Sequence, residues 1–160
     1  MKLGTPVPLV KEMTDLMHYM LLVDVVIGGT PARFLFDTGC SVTCVNRAFY
    51  DECLAPIYPV SNDVVKVSTV SKPRRRWFGN IGRPDVEPVR DISVCFTEDH
   101  VHRTLPVAFV SDISHLGAPF NINLDGILGL DALDLFRAVF DAADGLLFVN
   151  TYPKATAESV

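Results

Sequence analysis

The chain has 160 residues, 49% of them hydrophobic and 21% charged. This is about one domain of globular rather than disordered composition, long enough to bury a core without disulfides or a structural metal. The net charge of −5 argues against a general nucleic-acid binder.

Residues 1–17 hold Gly4, Pro6 and Pro8 and then a mixed stretch, read as a partly extended N-terminal arm. Glu12 and Asp15 break the start before any long apolar run, unlike a secretory leader. Residues 20–27 are apolar except for Asp24 and too short to span a bilayer. A cytoplasmic protein without a membrane segment is expected.

Residues 18–27 and 32–36 read as two strands joined by Gly28-Gly29-Thr30-Pro31. Residues 42–45 read as a brief third strand. Asn46 then has the chemistry of a helix N-cap, with Phe49 and Cys53 one turn apart on a buried face. Pro56 and Pro59 end that helix. Residues 64–70 alternate around Lys66 and Ser68, as a strand does.

Residues 71–88 change character. They contain Pro73, Pro84, Pro88, Gly79, Gly82 and the run Arg74-Arg75-Arg76 before Trp77, the pattern of a long loop or exposed hairpin. Residues 89–96 and 105–110 are expected strands, and 111–123 look irregular. Gly126-Ile127-Leu128-Gly129 is a short apolar strand between glycines. Asp131 can cap a short helix reaching Phe136. Residues 138–141 and 146–149 form a hairpin around Asp144-Gly145, and 151–160 are a tail. The architecture is mostly β with two short helices, one domain over 18–150.

The cysteines are Cys40, Cys44, Cys53 and Cys95, with no Cys-x-x-Cys spacing. Cys40 and Cys44 on one strand would stand roughly 13 Å apart, too far for a disulfide, so free thiols in a reducing compartment are expected. His100 and His102 have no converging ligand set and read as an exposed connection. No Gly-x-Ser-x-Gly elbow and no phosphate-binding loop occurs.

The chemistry concentrates in Phe34-Leu35-Phe36-Asp37-Thr38-Gly39. A carboxylate ends an apolar strand, and a hydroxyl and a glycine follow. Cleaving a peptide bond requires an activated water and a polarised carbonyl. Two neighbouring carboxylates that share a proton supply both. The chain has one Asp-Thr-Gly, since Asp125-Gly126 and Asp144-Gly145 lack the intervening hydroxyl residue.

This run, together with Gly126-Ile127-Leu128-Gly129, resembles the retropepsin-like aspartic proteases, the single-domain branch that includes retroviral proteases. The resemblance implies a closed-sheet acid-protease fold and a homodimer, with Asp37 of each copy as the catalytic pair and no cofactor or metal. It implies a polypeptide substrate. Thr38 would reach across the dimer axis, and Gly39 would bring amides to the carboxylates. Residues 71–88 fall where the family has its flap, with Gly79-Asn80-Ile81-Gly82 as tip and Trp77 and Phe78 over the substrate. Cys40, Ser41 and Ile127 would also contact substrate. Cys40 stands where the family usually has alanine or serine, and its oxidation would then block the cleft. The alternative is a catalytically silent dimerisation or peptide-binding module on the same fold.

Overall fold

The computed structural model describes residues 2–13, 19–61 and 86–152. The strand expected at 64–70 and the flap residues Trp77, Phe78, Gly79, Asn80, Ile81 and Gly82 lie outside these.

The described residues form ten strands in chain order. They are β1 (Thr5–Pro8), β2 (Val10–Met13), β3 (Tyr19–Ile27), β4 (Thr30–Phe36), β5 (Cys44–Asn46), β6 (Glu87–Phe96), β7 (Arg103–Ser111), β8 (Gly126–Leu128), β9 (Val139–Asp141) and β10 (Leu146–Val149). The expected mostly-β chain is observed. Residues 5–8 and 10–13 of the N-terminal arm are strands, and Glu87 and Pro88 belong to β6 rather than to the preceding loop.

Six strands close a barrel in the order β3-β4-β8-β5-β7-β6, and β6 returns to β3. Strand β3 is long enough to serve three neighbours. Its first residues pair with β2 and its last, Val25 to Ile27, with β6, while β4 runs along the other edge. Closure satisfies the strand edges internally. A second sheet, β1-β10-β9, joins Thr5–Pro8 to Leu146–Val149. The β3–β4 turn is Gly28-Gly29, with φ of 58° and 85°. This left-handed pair is what a two-residue hairpin requires and glycine supplies without strain.

Alternation along β4 decides what faces where. Ala32, Phe34 and Phe36 are buried, while Arg33 and Leu35 lie on the other face. Phe34, Phe96 and Phe136 are fully buried in the main core, and the rings of Phe96 and Phe136 meet edge to face at 4.8 Å. Each such side chain contributes about 1.5–3 kcal/mol by burial.

The described residues contain three helical segments, not the two expected. Helix α1 (Arg47–Phe49) runs into a π-turn over Tyr50–Leu54, in which the Ala55 amide donates to the Tyr50 carbonyl. Helix α2 (Ser114–Gly117) continues as a 3₁₀ turn through Phe120. It lies in the stretch expected to be irregular, which is too short to show a helical period. Helix α3 is Leu130–Leu135.

Two capping expectations change. Asn46 occupies the N-cap position of α1, but its side chain makes no capping bond there. Its amide instead donates to the Leu124 carbonyl and Ser114 Oγ, and its Oδ1 accepts from the Ile113 amide. Gly129, not Asp131, is the N-cap of α3. Asp131 lies inside the helix and is used by a distant loop.

Candidate active site

Asp37 follows β4 directly and keeps its alternation. Leu35 and Asp37 therefore fall on the face opposite Phe34 and Phe36. In the parallel β4–β8 pair Leu35 stands beside Ile127, and across β3–β4 it stands beside Leu22. Opposed residues share a face, so Leu22, Leu35 and Ile127 make one apolar surface. A second buried cluster, with Leu22, Cys40, Ile113, Leu124 and Ile127, lies along it.

The turn at Asp37 is held from several sides. The Asp37 amide donates to the Leu128 carbonyl at 3.3 Å, continuing the β4–β8 ladder, and the Cys40 amide donates to the Asp37 carbonyl at 3.2 Å. The Gly39 amide donates to Asp37 Oδ1 at 2.8 Å. A Cβ on Gly39 would sit 3.1 Å from that same oxygen, so glycine lets the amide approach without crowding the carboxylate. Beyond the turn, the Leu130 amide donates to the Cys40 carbonyl and the Asp131 amide to the Ser41 carbonyl. Gly129 allows this contact, because a Cβ there would lie 2.5 Å from the Val42 carbonyl carbon.

Asp131 locks the loop. Its two oxygens accept from the Thr43 amide at 3.0 Å and the Thr43 hydroxyl at 2.7 Å. The same hydroxyl accepts from the Gly129 amide at 3.2 Å. Asp125, just before β8, ties down β4 in a similar way by accepting from the Arg33 amide at 2.9 Å. These two acidic residues, which flank the Gly126–Gly129 run, are thus structural ties and not members of a pair with Asp37.

Asp37 opens on a cleft of about 630 Å³ lined by Gly39, Cys40, Met20, Leu35 and Ile127 on one side. Helix α2 and its 3₁₀ extension form the other side through His115, Leu116, Pro119 and Phe120. Asp37 is the one carboxylate among these lining residues. Of the residues singled out from sequence, Asp37, Gly39, Cys40 and Ile127 come together here. Thr38 and Ser41 are exposed on the loop and are not among the lining residues. The Thr38 hydroxyl has no partner among the described residues. Sequence reasoning missed the α2 wall, which carried no periodic signal. It also missed Leu35, which the two-residue period from Asp37 could have found.

Cys40 is buried, and its thiol donates to the Val42 carbonyl at 2.9 Å. Burial pushes it up to about 11, and burial pushes Cys44 up to about 12. A thiol held protonated is a poor nucleophile and a poor target for oxidants, contrary to the expectation of an oxidisable Cys40. All four cysteines are free. Among the described residues no group of three or more His, Cys, Asp or Glu could hold a metal, and no helix is long and apolar enough to cross a membrane.

No protein-family model and no curated protein sequence matches the chain. Among solved structures it is similar to the retroviral protease-like domain of Ddi1 from Leishmania major, with a TM-score of 0.52 at 16% identity, over 88% of this chain and 92% of that one. The fold is retropepsin-like. A retropepsin-like aspartic protease from Rickettsia conorii aligns over 90% of this chain and 86% of its own, at 12% identity and a TM-score of 0.48. In this retropepsin-like barrel, β4 delivers Asp37 to the cleft, and β8 with α3 hold the turn from behind.

Proposed function

We propose that the chain is an aspartic endopeptidase that works as a twofold homodimer. The observation that carries this reading is the setting of Asp37. Its carboxylate is aimed by the Gly39 amide into a largely apolar cleft that holds no second carboxylate among its lining residues. A second copy supplies the missing acid by symmetry.

Two such carboxylates at the axis share one proton, because both cannot be ionised at close range. The charged one takes a proton from a water as that water attacks the peptide carbonyl. The protonated one donates to the carbonyl oxygen. No cofactor or metal enters. The exposed Thr38 hydroxyl is the group to bond the opposing turn across the axis. Trp77, Phe78 and Gly79-Asn80-Ile81-Gly82 are assigned to the flap, closing over an extended peptide and excluding water. Four free cysteines agree with a cytoplasmic location.

Asp37→Asn tests the reading. An asparagine Oδ1 keeps the Gly39 bond but cannot share a proton. Cleavage of an unstructured protein, followed from acid to neutral pH, is expected to fall by about a thousandfold or more, with the dimer mass unchanged by sedimentation. Wild-type protein that dimerises and binds peptide but cuts none would leave a peptide-binding module.

A further inference from the structure

Among the described residues that line the cleft, Asp37 is the one acidic side chain and His115 the one basic side chain. The other lining side chains are Met20, Leu35, Cys40, Leu116, Pro119, Phe120 and Ile127, all uncharged. In an apolar trough a basic group on the wall discriminates among peptides of equal hydrophobicity.

His115 is exposed, but its backbone is anchored. The Asp112 carboxylate accepts from the Ser114 amide at 3.0 Å, and the Leu116 amide donates to the Ile113 carbonyl. The buried Asn46 side chain holds both Ile113 and Ser114 from below. The imidazole is therefore presented from a fixed rim beside the apolar wall of Leu116, Pro119 and Phe120, and not from a freely moving loop.

Resting on the protease reading above, we propose that His115 is a specificity-determining residue that selects peptides carrying an acidic side chain beside the large apolar residue that fills the cleft. The apolar residue packs between Leu35 and Ile127 on the floor and Phe120 on the wall. A neighbouring Glu or Asp carboxylate then reaches the imidazole at the rim. The charged groups that face His115 among the described residues are Asp37 across the cleft and Asp112 on its own segment. Asp112 is already engaged by Ser114, and its carboxyl is held below the usual range first by that amide and hydroxyl and last by the charge of His115.

The test compares two peptides that share one apolar core and differ only by Glu or Gln beside it. Cleavage by wild type and His115→Gln is measured at low and at high salt at about pH 5, where an imidazole is charged. Wild type is expected to favour Glu by about threefold to fivefold in kcat/KM at low salt, the size of an exposed ion pair. The ratio falls toward one at high salt and in His115→Gln. Binding of the same labelled peptides to the Asp37→Asn protein gives a second readout that does not need turnover. A Glu preference in binding without any cleavage by wild type would overturn the protease reading and keep this one. Equal handling of Glu and Gln, a preference untouched by His115→Gln, or no binding of either peptide would overturn the role of His115.

Discussion

Thr43 and Asp131, 88 residues apart, form a two-point clasp. The Thr43 hydroxyl donates to one carboxylate oxygen at 2.7 Å and its amide to the other at 3.0 Å. Asp131 Oδ1 also accepts from the Ala132 amide at 2.7 Å. The clasp fixes the loop that carries Asp37 to the first turn of α3. Asp131→Ala leaves a buried amide and hydroxyl without acceptors and is expected to destabilise the fold by about 2–4 kcal/mol. Asp131→Asn retains one acceptor and loses less. Urea denaturation of the two variants gives the comparison, and equal stabilities would show the clasp to be inert.

Gly126 is enclosed where β4, β5 and β8 meet. A Cβ there would lie 2.4 Å from the Phe34 ring and 2.5 Å from the Cys44 carbonyl oxygen. Gly126→Ala must push these strands apart, at a cost of about 1–3 kcal/mol. A fall in Tm is expected, with a larger proportional loss of any peptide cleavage because β8 backs the Asp37 turn.

The thiols of Cys40, buried, and Cys44, partly buried, give a chemical prediction. Cys40 and Cys44 are pushed up to about 11 and about 12 by burial, so very little thiolate is present at neutral pH. Iodoacetamide is expected to label Cys40 slowly in the folded protein and fast in urea, read by mass spectrometry of its peptide. Peroxide at neutral pH is expected to leave any peptide cleavage intact. Rapid native labelling would restore a redox role for Cys40.

Asp24 and Arg33 stand directly opposite each other on β3 and β4 and pair at 2.8 Å. The Arg33 hydrogen bond holds the Asp24 carboxyl below the usual carboxylate range, against a smaller effect of burial. A lowered folded-state value contributes stability that is present above the ordinary carboxylate range and lost as pH falls through the lowered one. Asp24 is 47% exposed, so solvent limits the effect to about half a kcal/mol. The stability gap between wild type and Asp24→Asn, read by urea denaturation, is expected at pH 6 and should shrink toward pH 3.

Residues near in sequence carried much of this fold on their own. The alternation from Ala32 to Asp37 decides which side chains enter the core and puts the carboxylate on the other face. Gly28-Gly29 writes the hairpin, and the single Asp-Thr-Gly marks the turn that carries the cleft carboxylate. Those features depend on one or two residues of local geometry, so they are legible along the chain.

Other features depend on contacts between distant segments. Asn46 has the chemistry of a helix cap and Asp131 that of another, yet the tertiary structure commits both to longer-range bonds, to Leu124 and Ile113 and to Thr43. The same polar atoms can serve a local or a remote partner, and only the packed chain decides between them. The cleft wall from His115 to Phe120 follows from those choices. It is set by Asn46, 67 residues before Ile113, and so short a stretch of helix and turn cannot show a period.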